Sequence, residues 1–211
     1  MNLSTGSKKV REANEASASQ ISKSLQVLQD SMYKNFFHGN LQASLLAQSY
    51  VFKVILAKSL DESTRNSIWA LFETNMRTLY TASSFGWDPP HKKEELFDSL
   101  SRFLLVHMNG DNRSLVAFAA FRFEFENGHN ILYCYDLQVS EASRRHGLGR
   151  ALMNHLATIG ADFGLDKIML TVFKANARAL KFYNSLGFEM DQDSPDDDDE
   201  EDYKLLFKSV G

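Results

Sequence analysis

Arg144-Arg145-His146-Gly147-Leu148-Gly149-Arg150 holds two glycines one residue apart amid four cationic or ionisable side chains. Ahead of it, Ile131 to Val139 is a hydrophobic run that carries one acid, Asp136. Behind it, Leu148, Leu152, Leu156, Ile159 and Phe163 recur at helical spacing. Strand, glycine loop and helix in that order leave free backbone N–H groups at a helix N-terminus, where a pyrophosphate can sit. Gly147 and Gly149 have no Cβ to hold an anion away from the main chain. The spacing is neither G-x-G-x-x-G nor G-x-x-x-x-G-K-[ST], so the dinucleotide and P-loop readings are excluded.

Asp136 is the second candidate for chemistry. Strict alternation places Tyr133, Tyr135 and Leu137 on one face of the strand and Cys134, Asp136 and Gln138 on the other. An acid in so apolar a strand is either a satisfied hydrogen-bond acceptor or a carboxylate that takes a proton from a substrate, directly or through one water. Glu124 is a second acid able to face the same cleft, against the reading of a solvated residue beside Glu126. Were an amine the acceptor, a free α-amine would cost about 1 kcal/mol to deprotonate at pH 7 and a lysine about 4.6, so a carboxylate base without histidine would suit the α-amine better without excluding a lysine. Cys134 reads as an inert buried thiol, and one cysteine supports neither a disulfide nor a thiolate metal cluster.

These residues need a frame. Val51 to Ala57 reads as a strand, and Glu62 to Tyr80 as a helix capped by Asp61 or Ser63. Lys92 to Leu100 reads as a short helix. Phe103–His107, Leu115–Glu124 and Ile131–Val139, separated by turn residues, form an antiparallel meander. Lys167–Phe173 is a further strand, followed by a helix and the turn Leu186-Gly187-Phe188. The order predicts a mixed α/β sheet with helices on both faces. Residues 1 to about 20, rich in Ser, Ala, Lys and Glu, read as disordered. Ile21, Leu25, Leu28, Met32 and Phe36 then mark an amphipathic helix, so residues 1–45 are an N-terminal extension to a domain over 46–211.

The glycine loop matches the Arg/Gln-x-x-Gly-x-Gly/Ala pattern of the GNAT N-acetyltransferases, and Asn176, Ala179, Phe182, Tyr183, Gly187 and Phe188 match the end of the same fold. Finer likeness lies in Asn75-Met-Arg-Thr-Leu-Tyr80, Gly86-Trp87, Phe121-Arg-Phe-Glu124, Leu132-Tyr-Cys-Tyr-Asp-Leu-Gln138 and Met169-Leu-Thr-Val-Phe-Lys174. From about Val51 to Lys208 the chain resembles the NatD-type N-alpha-acetyltransferases, which acetylate the N-terminal serine of histones four and two-A, beginning Ser-Gly-Arg-Gly. The resemblance implies a mixed, mostly antiparallel sheet splayed around acetyl-CoA, and no metal. It assigns catalysis to Asp136, Glu124 and, by superfamily analogy, Tyr183. It assigns the peptide site to Tyr80, Trp87, Glu124, Tyr133, Tyr135, Thr171, Ser194 and Tyr203. Coenzyme contacts fall on Leu137, Gln138, Val139, Arg145, His146, Gly147, Leu148, Gly149, Arg150 and Asn176. Asp136 is one methylene shorter than the family's glutamate, so its reach is less.

The net charge of −4 is unevenly spread. Residues 1–60 carry a net +4 and residues 190–211 a net −7, centred on the run Asp196 to Asp202. Such a run is a solvated loop or a field that draws a basic partner; given the resemblance, it or Glu124 pairs with the arginine of the histone tail. No run is long and apolar enough for a membrane span, and the start of the chain carries no signal peptide and no glycine for myristoylation. No dense basic patch with interleaved aromatics points to nucleic acid. The expectation is a monomer of cytoplasm and nucleus that meets histone tails, with ribosome association compatible. The alternatives are a transferase for lysine side chains or small amines, and a silent module that binds acyl-CoA or histone tails.

Overall fold

A computed structural model describes residues 7–22, 50–110, 114–196 and 200–210. Its centre is a seven-stranded sheet in the order β1-β2-β3-β4-β5-β7-β6. The strands are β1 (Tyr50–Leu56), β2 (Arg102–Met108), β3 (Leu115–Glu126), β4 (His129–Val139), β5 (Lys167–Phe173), β6 (Glu189–Met190) and β7 (Tyr203–Ser209). The helices are α1 (Lys8–Glu15), α2 (Glu62–Thr81), α3 (Pro89–Leu96), α4 (Leu148–Asp162) and α5 (Ala177–Asn184). The meander of β2, β3 and β4 forms as its turn residues predict. Asn127 and Gly128, both at positive φ (49° and 82°), close the tight hairpin between β3 and β4. All pairings are antiparallel except β4 with β5.

Two cores flank the sheet. On one face Leu152, Leu156 and Ile159 of α4, Tyr183 of α5 and Val10 and Ala13 of α1 pack with Phe121, Leu132, Cys134, Leu170 and Leu206 of the strands. On the other, Ile68 and Phe72 of α2 and Leu96 of α3 pack with Phe103, Leu105, Phe118 and Ala120. Asp61 caps α2, its carboxylate accepting from Thr64 N at 2.7 Å. The third helix starts earlier than its charge pattern suggests, because Asp88 caps it and Pro89 and Pro90 fit a first turn that needs no N–H.

The N-terminal stretch corrects the expectation of disorder. Ser7 Oγ accepts from Val10 N at 3.3 Å and starts α1, and Val10, Ala13, Ala16 and Ile21 are buried. Arg102, itself buried, reaches across from β2 to the end of this helix, donating to Asn14 O at 2.9 Å, Asn14 Oδ1 at 3.2 Å and Leu100 O at 2.7 Å. A cation at a helix C-terminus is stabilising, by up to about 2 kcal/mol where partly buried. Composition hides this anchor, because its acceptors in the segment are the main-chain and side-chain oxygens of one asparagine and their donor lies far along the sequence. The predicted amphipathic helix over Ile21 to Phe36 lies mostly outside the described residues.

Candidate active site

The parallel pairing of β4 and β5 is short. It runs from Ile131/Lys167 to Cys134/Leu170 and goes no further. Past that rung the strands part, while β4 stays bonded to β3 as far as Val139. Beside the parted strands is a cleft of about 490 Å³ lined by β4 (Leu137, Gln138, Val139), the glycine loop, Asn75 of α2, and Asn176 and Arg178 at the cap and first turn of α5.

The loop is built for close approach. Gly147 caps α4 at φ 81°, and Arg145 also sits in the left-handed region at φ 67°. A non-glycine residue there costs of order 1–3 kcal/mol and is found where function holds it. Gly149 answers a different need: a Cβ on it would lie 3.0 Å from Phe182 Cζ. The first intrahelical bond is Ala151 N to Gly147 O at 2.9 Å, leaving the N–H groups of Leu148 to Arg150 without helical partners. Arg144, Arg145, Arg150 and Arg178 line the same cleft. Four guanidinium groups, a helix N-terminus and an apolar floor suit the phosphates and the chain of an acyl coenzyme. Every residue expected at the coenzyme lines this cleft except His146, which is exposed and outside it. Arg144, Arg178, Asn75 and Phe182 belong to it as well, though the sequence alone did not mark them as coenzyme contacts.

Asp136 lies on the other face from the one alternation predicts. Ala120 pairs with Asp136, but the next residue, Phe121, pairs with Cys134. The extra residue is Tyr135, a β-bulge that re-aims the rest of the strand. Cys134 therefore stays in the α4-side core, while Asp136 turns to the α2–α3 side with the tyrosines. It is 6% exposed. Gln138 Nε2 donates to its Oδ1 at 2.8 Å, and Lys92 Nζ of α3 lies 3.1 Å from its Oδ2. Burial raises the Asp136 pKa, and Lys92 and the Gln138 bond oppose that rise. Lys92 also pairs with Glu95 at 2.9 Å. A longer polar chain continues from Gln138: Asn75 Nδ2 donates to Gln138 Oε1 at 3.0 Å, and Arg144 Nη2 donates to Asn75 Oδ1 at 2.7 Å.

The residues expected around the peptide fall in two groups. In the first, Tyr135 donates to Glu124 Oε1 at 2.6 Å, Tyr133 and Thr171 share a hydroxyl contact at 2.5 Å across the parting strands, and the two tyrosine rings are 4.9 Å apart. Burial raises the pKa of Glu124, against the pull of Tyr135 and Arg122. Burial likewise pushes Tyr133 up to about 12, so its phenol keeps its proton at neutral pH. In the second, Tyr80 stands perpendicular to Phe173 at 5.0 Å, and Phe85 touches Phe173 and Tyr203. Ser84 N and Oγ donate to Asp202 at 2.6 and 3.0 Å, tying the α2–α3 loop to the segment before β7. Trp87 packs on Trp69 and Phe72 of α2. Ser194 Oγ accepts from Leu205 N at 3.0 Å. Tyr183 is buried against Phe182 and Phe188 and does not line the cleft. Burial raises its pKa well above the ordinary value, with Cys134 and Asp136 adding to the effect. Of the acidic run, residues 197–199 lie outside the described residues.

Residues 68–188 match the acetyltransferase (GNAT) family. The chain belongs to that family. This GNAT chain is 29% identical over 164 residues to N-alpha-acetyltransferase 40 of Saccharomyces cerevisiae, covering 66% of this chain and 56% of that protein. It is 34% identical over 86 residues to streptothricin acetyltransferase of Streptomyces lavendulae, covering 41% of this chain and 43% of that one. The chain thus spans little more than half the length of the first relative and less than half of the second. Among solved folds, a chain of the NatC complex bound to Gag peptide and CoA superposes with a TM-score of 0.58 at 18% identity, over 77% of this chain and 99% of that one. The open, mostly antiparallel sheet is the GNAT fold.

Proposed function

We propose that this protein transfers acetyl from acetyl-CoA to the N-terminal α-amine of a protein, with histone tails beginning Ser-Gly-Arg-Gly as its substrate. The observation that carries the reading is the juxtaposition of the arginine-lined cleft with the bulged strand that aims Asp136. The similarity to N-alpha-acetyltransferase 40 supports the α-amine as acceptor. When bound, acetyl-CoA supplies an activated acyl thioester.

The chain's own residues do the rest. Arg144, Arg145, Arg150 and Arg178 with the N-terminus of α4 hold phosphate. The edge of β4 past Cys134, freed from β5, offers main-chain N–H groups to a developing oxyanion. Asp136 acts as general base. Its oxygens already face Gln138 and Lys92, so the proton reaches it through a water. The departing thiolate takes its proton from water; Tyr183, buried in the α4-side core and outside the cleft lining, is not placed to supply it. The Tyr135–Glu124 and Tyr133–Thr171 contacts wall the acceptor side, and Glu124 offers a carboxylate to the substrate arginine. Attack is direct, within a ternary complex. Such an enzyme works as a monomer wherever histone tails are made or stored, in cytoplasm and nucleus.

The test is a Ser-Gly-Arg-Gly peptide with labelled acetyl-CoA and fragment mass spectrometry of the product. Label on the α-amine is expected, with loss of at least a hundredfold in kcat for Asp136→Asn, in the range that general base catalysis contributes, about 10²–10⁴. Label on a lysine of a longer peptide overturns the regiochemistry. A second reading, a small-amine acetyltransferase, draws on the streptothricin acetyltransferase similarity, and it wins if polyamine or aminoglycoside-like amines outcompete the peptide.

A further inference from the structure

Lys92 is a buried cation with no assigned part in coenzyme or peptide binding. Its side chain is 8% exposed and that of Asp136 is 5% exposed. Nζ stands 3.1 Å from Asp136 Oδ2 and 2.9 Å from Glu95 Oε2, and Glu95 is 34% exposed. The faces of Phe72 and Tyr80 cover the ammonium at 5.2 and 5.4 Å from their centroids. The result is a row of acid, base, acid from the interior of β4 to the rim of α3.

We propose that Lys92 is a positioning residue of the acetyl-transfer reaction, its ammonium keeping Asp136 an anion and fixing which of its oxygens turns inward. The inference rests on the reading of Asp136 as the base.

The physical argument concerns what burial does to each partner alone. A carboxyl group buried beside Ala120 and Tyr80 without a cation would favour keeping its proton and so could not accept another. A lone lysine there would lose its own. Together each favours the other's charged form: Lys92 opposes the rise that burial causes in the Asp136 pKa, and Asp136, Tyr80 and Glu95 outweigh burial at Lys92 and hold its pKa above the ordinary lysine value. Lys92 is thus a fixed charge, not a relay. Around Asp136 the ionisable groups are Lys92 and Glu95 from α3, Tyr80 from α2, Cys134 on its own strand and Tyr183 from α5. Of these, Lys92 alone is positive. Glu95 pushes the Asp136 pKa up and Lys92 pulls it down, so removing each has opposite sign.

The experiment measures kcat against pH at saturating Ser-Gly-Arg-Gly peptide and acetyl-CoA, which reports ionisations within the complex. Lys92→Met should move the acid limb to higher pH by about one to three units, the effect of a lost opposite charge at this distance. Glu95→Gln should move it to lower pH by less, and Lys92→Arg should restore the wild-type limb. A residue that only packs would change kcat or melting temperature without these opposed shifts. If Asp136→Asn keeps wild-type kcat, the base reading itself fails, and this inference with it. If Asp136→Asn is inactive and the limbs of Lys92→Met and wild type coincide, the positioning role alone is overturned. Should Lys92→Met not fold, Glu95→Gln still decides, because an unmoved limb there overturns the proposal.

Discussion

Gln138 donates its side-chain amide to Asp136 Oδ1 at 2.8 Å, and through that bond the buried acid is joined to the glycine loop. The chain runs onward through Asn75 to Arg144, which lines the cleft. Asn75→Ala leaves Gln138 Oε1 and one Arg144 nitrogen short of a partner. A loss of about 1–3 kcal/mol is expected, appearing in both acetyl-CoA affinity and kcat. Calorimetric titration and steady-state kinetics check it. A change in stability alone would mean that the chain does not reach the chemistry.

The two loop glycines should fail for different reasons. Gly149→Ala drives a methyl to 3.0 Å from the Phe182 ring and should cost about 1–3 kcal/mol by overpacking. Phe182→Leu in the same chain should recover much of that loss. Gly147→Ala meets open space but stands at φ +81°, so it should cost about 1–2 kcal/mol and gain nothing from Phe182→Leu. Urea midpoints of the four variants decide.

Arg102 anchors the N-terminal helix to the sheet. Burial lowers its pKa to about 10 without discharging it at neutral pH. Arg102→Met removes the donors to Asn14 and Leu100 and should destabilise by about 3 kcal/mol, counting bonds from a charged group at about 1.5–3 each. Hydrogen exchange at the amides of Val10 to Glu15 should quicken more than exchange in β5. Equal loss at both sites would show that the anchor is not local.

His155 gives the fold a pH dependence of its own. Its ring lies edge-on to Phe52 at 4.9 Å, its Nδ1 is buried without a partner, and burial lowers its pKa to about 4. Unfolded, it titrates near 6.5. Between those values the unfolded chain binds the proton and the folded chain does not, so stability falls as pH drops through this window. The loss approaches about 3 kcal/mol at the lower end, at 1.36 per unit. Denaturation of His155→Leu against wild type across that range should show a shallower slope; parallel curves would assign the effect to other groups.

Much of this was legible from residue order. The meander, the glycine loop and α4 are local patterns, and Lys167–Phe173 has the bounds that its apolar run suggests. The orientation of Asp136 was not legible. Period-two alternation has no symbol for one extra residue, and a bulge at Tyr135 reverses the face of everything after it. Lys92 was hidden too. Within Pro-Pro-His-Lys-Lys-Glu-Glu-Leu it looks like any solvated charge, and only the acid on a distant strand makes it an interior residue. For Arg102 the reason is the same: besides Leu100 O, it bonds the main chain and side chain of Asn14, in a segment whose composition is that of a tail.

The four-rung seam between β4 and β5 joins two groups of strands, β1 to β4 and β5 to β7. Among the described residues no ladder spans them beyond Cys134 and Leu170, so the angle at which they open is set by the side chains of α4 wedged against both, Leu152 and Leu156 among them. On the proposed coenzyme site, affinity is expected to follow the size of that wedge. Trimming a methyl group on the hidden flank of that helix should retune a site it never touches.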